Sequence, residues 1–404
     1  MFKLTYNMDE LGKSMEMQND VAVIFAKHVI ATVANSTNLV FSPTSINVLL
    51  CLIAAGSSSF AKERILSFLM LPSSDHLNAV LAKTIFVNLA DSGERSNIVR
   101  FSAAYSVWID KSLSFKPSYK ELLDNSYKAT SSQVDFASKP GEVIDEVNAW
   151  AKFKTNGVVT QIFSPNSIEH IRESKLILAN AMYFKGSWSE SFDAKLTIDY
   201  DFRLLDGTSV KVPFMTNGQD QYLNSYSGFQ VLRLPYVKDH PHFSFSMYIY
   251  LPNDRDGLHA LLEKISSKPG FLDDRIPRRR RSVGAFGIPK FKFSFEFEAS
   301  DVLKDMGLTS PFTRGGSLTE MVDPPSMAEN LYVSKILHKA CIEVDEKGTE
   351  AAAVSVALKM VAGCSLHKSR KPDFVADHPF LFTVREDKSG MIMFMGQVLD
   401  PSKH

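Results

Sequence analysis

The 404-residue sequence predicts an α+β fold. Three patterns point to it. Near the start, apolar side chains recur at helical spacing (Val21, Ile24, Phe25, Val29 and Val33), the stripe of an amphipathic helix. Between residues 202 and 251, apolar strand-like segments follow one another with little but turn residues between them, as in antiparallel sheet. Leu176 to Gly186 is apolar almost without interruption, so that strand has both faces covered. With 45% hydrophobic and 22% charged residues the chain can bury a large core. No Pro/Gly/Ser-rich linker divides it, and one domain over 1–404 is expected.

Forty-five Lys and Arg balance forty-five Asp and Glu, so net charge draws the chain toward neither nucleic acid nor an acidic membrane. No apolar run approaches the roughly 18 residues of a spanning helix. The first residues lack a continuous apolar signal core. Cys51, Cys341 and Cys364 are too few and too scattered for a disulfide framework. The expected compartment is reducing, the cytosol or else the nucleus, and Asn35-Ser36-Thr37 reads as a chance glycosylation match. No membrane partner, no nucleic-acid partner and no cofactor are expected.

Taken in order, residues 15–34 form the first helix. Ser42 is placed to cap a second, with Pro43 in its first turn and Gly56 at its end. That helix is apolar on all sides and should lie in the middle of the molecule. Short helices at 62–70 and 76–91 lead to a strand at Arg100–Ile109. Lys116-Pro117 opens another helix, and Val134–Phe136 is a short strand. Val143–Trp150 is an amphipathic helix closing at Gly157. Asn180 sits inside the buried strand 176–186 and needs partners, because an unpaired buried amide costs about 1–3 kcal/mol. Strands follow at Phe202–Leu205, Val210–Met215, Gln230–Tyr236 and Phe243–Leu251. Arg278 to Arg281 read either as a solvated strand edge or as a nuclear signal or polyanion site. Ile288–Phe293 alternates as one strand, Ala299–Gly307 as a helix, and Leu331–Lys339 as a long strand. A hairpin at 377–396 ends the chain.

Val344 to Pro372 does not fit either category. Thr349, Ala351, Ala353, Ser355 and Ala357 put only small side chains on one face of a would-be strand, while Glu350, Ala352, Val354, Val356 and Leu358 occupy the other. Yet Gly348, Gly363, Ser365, Ser369 and Pro372 punctuate it as a loop. An Ala-rich helix is the plain alternative.

E-K-G-T-E-A-A-A at Glu346–Ala353 resembles the reactive-centre-loop hinge of serpins, the serine protease inhibitor family. Other serpin motifs are met in order. N-x-V-F-S-P-x-S begins at Asn38, V-N-x-W…T-x-G at Val147, and N-A-x-Y-F-K-G-x-W at Asn180. The terminal hairpin also matches. D-x-x-P-R-R-R and F-V-A-D-H-P-F are closest to plant serpins, though those usually carry Asn where this chain has Tyr105. The resemblance runs from about residue 15 to Pro401.

It implies three β-sheets, about eight or nine helices and an exposed loop at about 346–372. It also implies an inhibitor that is consumed: a protease attacks the bait bond and is itself acylated by the loop, which then enters the main sheet as a new strand. Counting as the family does places that bond at Ala362–Gly363, with Met360, Val361 and Cys364 beside it. Gly348, Thr349, Glu350, Ala351, Ala352 and Ala353 would be the hinge. Ser42, Ser45, Asn180 and His338 would be the shutter holding the sheet closed. Trp188 would mark the top of the sheet, and Lys290 with Glu346 would tie down the loop's base. An Ala bait suits elastase-like serine proteases, and Val361 suits papain-like cysteine proteases. A monomer is expected.

An enzyme reading finds no G-x-S-x-G, H-E-x-x-H, P-loop or C-x-x-C. His240 and His242 lack a third metal ligand, so no metal site is expected. His378 reads as a packing residue, and nothing near Cys364 marks its thiol as activated. Lys368, Arg370 and Lys371 read as a solubilising flank or as a steer toward an acidic protease surface. Lys359 falls on the small-residue parity, where burial of an ammonium is costly. It leaves a non-inhibitory binding or carrier serpin as the alternative.

Overall fold

A computed structural model describes residues 8–71, 99–238, 243–348 and 371–403. Its first helix spans Met8–Thr32. The sequence stripe is followed at Val21, Phe25 and Val29, which are buried, while Ile24 and Val33 face solvent. Ala22, Ala26 and Ile30 fill the buried face with them.

Leu39–Phe41 (β1) leads into the helix Pro43–Ala55. Ser42 caps it by accepting a hydrogen bond from the Ser45 N–H, Pro43 occupies the first turn and Gly56 follows the last. Pro43 to Ala54 are all buried, as apolarity on every side requires. The next helix is Ser59–Phe68; the expected 76–91 helix lies outside the described residues. Val99–Asp110 (β2) precedes Thr130–Val134 (β3). The strand expected at Val134–Phe136 thus ends where it was to begin. Phe136 is buried, but the ladder pairing β3 to β2 runs through the polar residues Thr130 to Gln133. The helix Pro140–Lys154 closes through Asn156 and Gly157, both at positive φ.

Leu176–Gly186 (β4) has the expected bounds. Ile198–Arg203 (β5) starts earlier than expected and is followed by Ser209–Met215 (β6). Gln221–Tyr226 (β7) was not foreseen; it precedes Phe229–Pro235 (β8) and Phe245–Pro252 (β9). Arg280–Arg281 (β10) is a short exposed strand on the edge of β7. The strand expected at Ile288–Phe293 is two, Phe286–Pro289 (β11) and Phe291–Glu298 (β12), in different sheets. Between them Lys290 donates its N–H to the Pro213 carbonyl, 2.8 Å, and Pro289 has no N–H to continue a ladder. Lys335–Val344 (β13) starts later than expected, after Leu331–Ser334 has crossed without ladder partners of its own. Phe374–Val375 (β14), Phe380–Glu386 (β15) and Ile392–Val398 (β16) complete the chain.

These strands make three sheets. One has the order β12-β13-β4-β2-β3, a second β1-β16-β15-β9-β8-β7-β10, and a third β14-β11-β6-β5. The Pro43–Ala55 helix packs on both β4 and β16, between the first two sheets. On the far face of the first sheet the Pro140–Lys154 helix buries Val143, Val147 and Trp150 over Trp108, Ile177, Ala179 and Ala181. Trp108 and Trp150 meet edge to face at 6.3 Å. Burial on two sides is why β4 is apolar along its whole length.

Candidate functional site

Where β13 meets β4 the strands are parallel, in register from Lys335–Ile177 to Ile342–Phe184. Their other neighbours, β12 and β2, run antiparallel to them. Parallel pairing is slightly the weaker per residue. The register aligns one row across four strands: Phe297 with His338, His338 with Asn180, and Asn180 with Tyr105.

This row meets the start of the Pro43–Ala55 helix in a buried hydrogen-bond network. His338 Nε2 accepts the Ser42 backbone N–H at 3.0 Å, and Nδ1 lies 2.6 Å from Asn180 Oδ1. Because Nε2 must be an acceptor, the proton is on Nδ1 and is donated to Asn180. Asn180 Nδ2 donates to Ser45 Oγ at 2.5 Å, and the buried Tyr105 stands beside Asn180 on the next strand. Complete burial pushes His338 down to about 3, so its ring is neutral, and burial raises Tyr105 out of the titrating range. Each of the four expected residues is therefore here, although Ser42 contributes its N–H and not its hydroxyl. Tyr105 lies beside these four, placed there by the strand register.

Above the row the β13–β4 pairing ends and β13 runs on into Asp345–Gly348. Trp188 Nε1 donates to the Asp345 carbonyl at 2.8 Å, the Trp188 N–H to the Lys347 carbonyl at 3.1 Å, and the Phe192 N–H to the Glu346 carbonyl at 2.8 Å. Trp188 is itself held by stacking on Tyr236, 4.5 Å between centroids. The Glu346 carboxylate bonds Lys290 Nζ at 2.7 Å and Thr197 Oγ1 at 2.8 Å. Partial burial works to raise this carboxyl, but hydrogen bonds from Lys290, its own backbone and Thr197 outweigh it and hold it below its ordinary value. Gly348 has φ +75°, and a Cβ there would collide with the Gly186 carbonyl and the Trp188 nitrogen. Only glycine suits both the left-handed backbone and the close approach. Lys290, Trp188, Glu346 and Gly348 are thus brought together. Phe192 and Thr197, which the sequence did not single out, join them.

Thr349, Glu350, Ala351, Ala352, Ala353, Lys359, Met360, Val361, Ala362, Gly363 and Cys364 lie outside the described residues, as do His240 and His242. Among the described residues, no group of three or more His, Cys, Asp or Glu could hold a metal, and no helix is long and apolar enough to cross a membrane. Cys51 and Cys341 are buried free thiols, both raised by burial. His378 is buried between Asp377 Oδ1, 2.7 Å, and the Pro252 carbonyl, 2.8 Å, a packing position.

Residues 16–401 match the family model of the serpins, described as serine protease inhibitor. The chain is a serpin. It is 70% identical to Serpin-Z4 of Arabidopsis thaliana over 98% of this chain and all of that one. It is 44% identical to Serpin-ZXA of Oryza sativa subsp. japonica, over 90% of each. Among solved structures it resembles Arabidopsis AtSerpin1 in its native stressed conformation, with a TM-score of 0.88 at 50% identity, covering 97% of this chain and 99% of that one. It is a plant-type serpin, of a family of protease inhibitors rather than enzymes.

Proposed function

We propose that this serpin is an irreversible suicide-substrate inhibitor acting as a single domain. The target protease's nucleophile attacks the Ala362 carbonyl, so that the protease becomes acylated by Ala362 and the amine of Gly363 is released. The loop from Gly348 onward then enters between β13 and β4, carrying the acyl-enzyme with it before water can free it. One observation supports this above others: β13 feeds the loop and its far neighbour β4 is parallel to it. A chain that turns back after β13 runs antiparallel to both strands, and can complete an antiparallel ladder on each side. The small side chains of Thr349, Ala351, Ala353, Ser355 and Ala357 would then face the tight side of the sheet. The shutter His338–Asn180 bond and the base contacts of Glu346 would delay insertion until the loop is cut. Elastase-like serine and papain-like cysteine proteases fit Ala362 and Val361. The two described cysteines, both buried free thiols, fit a cytosolic or nuclear setting.

Lys359 favours the second reading, a non-inhibitory binding or carrier serpin, because it falls on the inward parity. Heating before and after limited cleavage of the loop separates the two. An inhibitor gains a large increment in melting temperature on cleavage; a melt that does not move supports the carrier.

A further inference from the structure

We propose that Leu196, Ile198 and Tyr200 form a second contact for the target protease, apart from the bait bond. This rests on the inhibitor reading above. Among the described residues β5 is an edge strand whose one ladder is with β6. Ile198, Tyr200 and Phe202 share a face, as alternate residues of a strand do. Phe202 is fully buried, edge-on to Phe380 at 6.5 Å, so this is the side that faces the core. Toward the start of the strand the cover runs out. Tyr200 rests on Phe214 at 5.3 Å yet is 46% exposed. Ile198 is 59% exposed, and Leu196, in the turn before it, 46%. An apolar stripe on an open sheet edge is a liability for solubility and a common mark of an interface.

The anchoring of the loop's two ends names the occupant. Before the loop, Glu346 is fixed at the beginning of β5 by Thr197 Oγ1 and the Phe192 N–H. After it, the Pro372 carbonyl accepts the Gly284 N–H at 2.9 Å, and Phe374 pairs with Phe286. Thr216, just past the end of β6, donates its hydroxyl to the Phe286 carbonyl at 2.7 Å. Since β6 ends where β5 begins, both anchors sit at one end of the β14-β11-β6-β5 sheet, on opposite edges. Ala362 and Lys371 are nine positions apart, so the bait lies at most about 30 Å from that end, roughly the diameter of a small domain. A protease closed on the bait has the surface beside its cleft within reach of the stripe. Asp199, Asp201 and Arg203 point to the opposite face of β5, so the stripe offers apolar contact. It fits a protease with an apolar rim next to its active-site cleft.

The test uses the full chain, Ile198→Ser/Tyr200→Ser and, as a second variant, Leu196→Ser, against whichever elastase-like or papain-like protease forms a covalent complex with the wild type. The association rate constant should fall about tenfold in the double variant, with unchanged stoichiometry of inhibition and an unchanged melt. Ile198→Leu should retain the wild-type rate. A merely structural role would move the melt or the stoichiometry instead and would overturn the proposal. So would an unchanged rate, including the case in which the variants only dissociate a dimer of this chain. If the wild type forms no complex with any protease, the inhibitor reading falls and this contact with it. A wild-type complex with unaltered variant rates removes the contact alone.

Discussion

His338 Nδ1 lies 2.6 Å from Asn180 Oδ1, a side-chain bond laid directly across the parallel pairing of β13 and β4. It works only while the ring is neutral, because Nε2 accepts the Ser42 N–H. A protonated ring would aim N–H at N–H. Burial lowers His338 from an ordinary 6.5 to about 3. Between those values an exposed histidine binds the proton that the buried one refuses, so more protons are bound in the opened or unfolded state. Stability therefore rises with pH through this window and is lost as pH falls from about 6.5 toward 3, by an amount on the order of a few kcal/mol. Melting temperature, followed from pH 7 to 4, should show it. His338→Gln should flatten that dependence while lowering stability at pH 7; parallel profiles for the two proteins would refute the assignment.

The Lys290–Glu346 pair is partly exposed, and direct Coulomb attraction contributes up to about 1 kcal/mol in such a setting. Its importance is its position at the loop's base. Lys290→Glu should speed the heat-induced loss of inhibitory activity several-fold, and Lys290→Glu/Glu346→Lys should recover part of it. Four proteins heated side by side complete the double-mutant cycle. Equal rates in all four would show that the pair restrains nothing.

At Gly348 both the positive φ and the approach to Gly186 and Trp188 exclude a side chain. Gly348→Ala should cost about 1–2 kcal/mol of native stability. The bonds from Trp188 to Asp345 and Lys347 should loosen with it. Tryptophan fluorescence during denaturant unfolding reads both effects.

On the proposed function, Lys359 falls on the small-residue parity and Ala362 is the bait residue. Lys359→Ala should lower the stoichiometry of inhibition, because a slow inward passage of the ammonium favours hydrolysis of the acyl-enzyme. Ala362→Arg should transfer inhibition to trypsin-like proteases. Titration against active-site-counted protease measures both.

The parts of the fold that could be read in the sequence are those where one physical cause dominates. Leu176–Gly186 is covered on both faces, and its apolar run marks its ends. Ser42, Pro43 and Gly56 set the limits of a helix by capping. Alternation misled at Ile288–Phe293, since it carries no sign that the Lys290 N–H is given to Pro213 in another sheet. β7 shows no apolar alternation because Leu223 is its one aliphatic residue and Asn224 and Ser225 follow it side by side. Of the described site, the family motifs pointed to Asn180, His338, Glu346 and Gly348. Tyr105, Phe192 and Thr197 enter through register and close approach, which depend on pairs of residues distant in sequence.

The most direct measurement is a denaturing gel of the protein after incubation with elastase-like and papain-like proteases. A band at the mass of the protease plus residues 1–362, resistant to boiling in detergent, together with the fragment beginning at Gly363, is the expected result. Cleavage at 362–363 with every protease, and no covalent complex with any, would contradict the inhibitor mechanism.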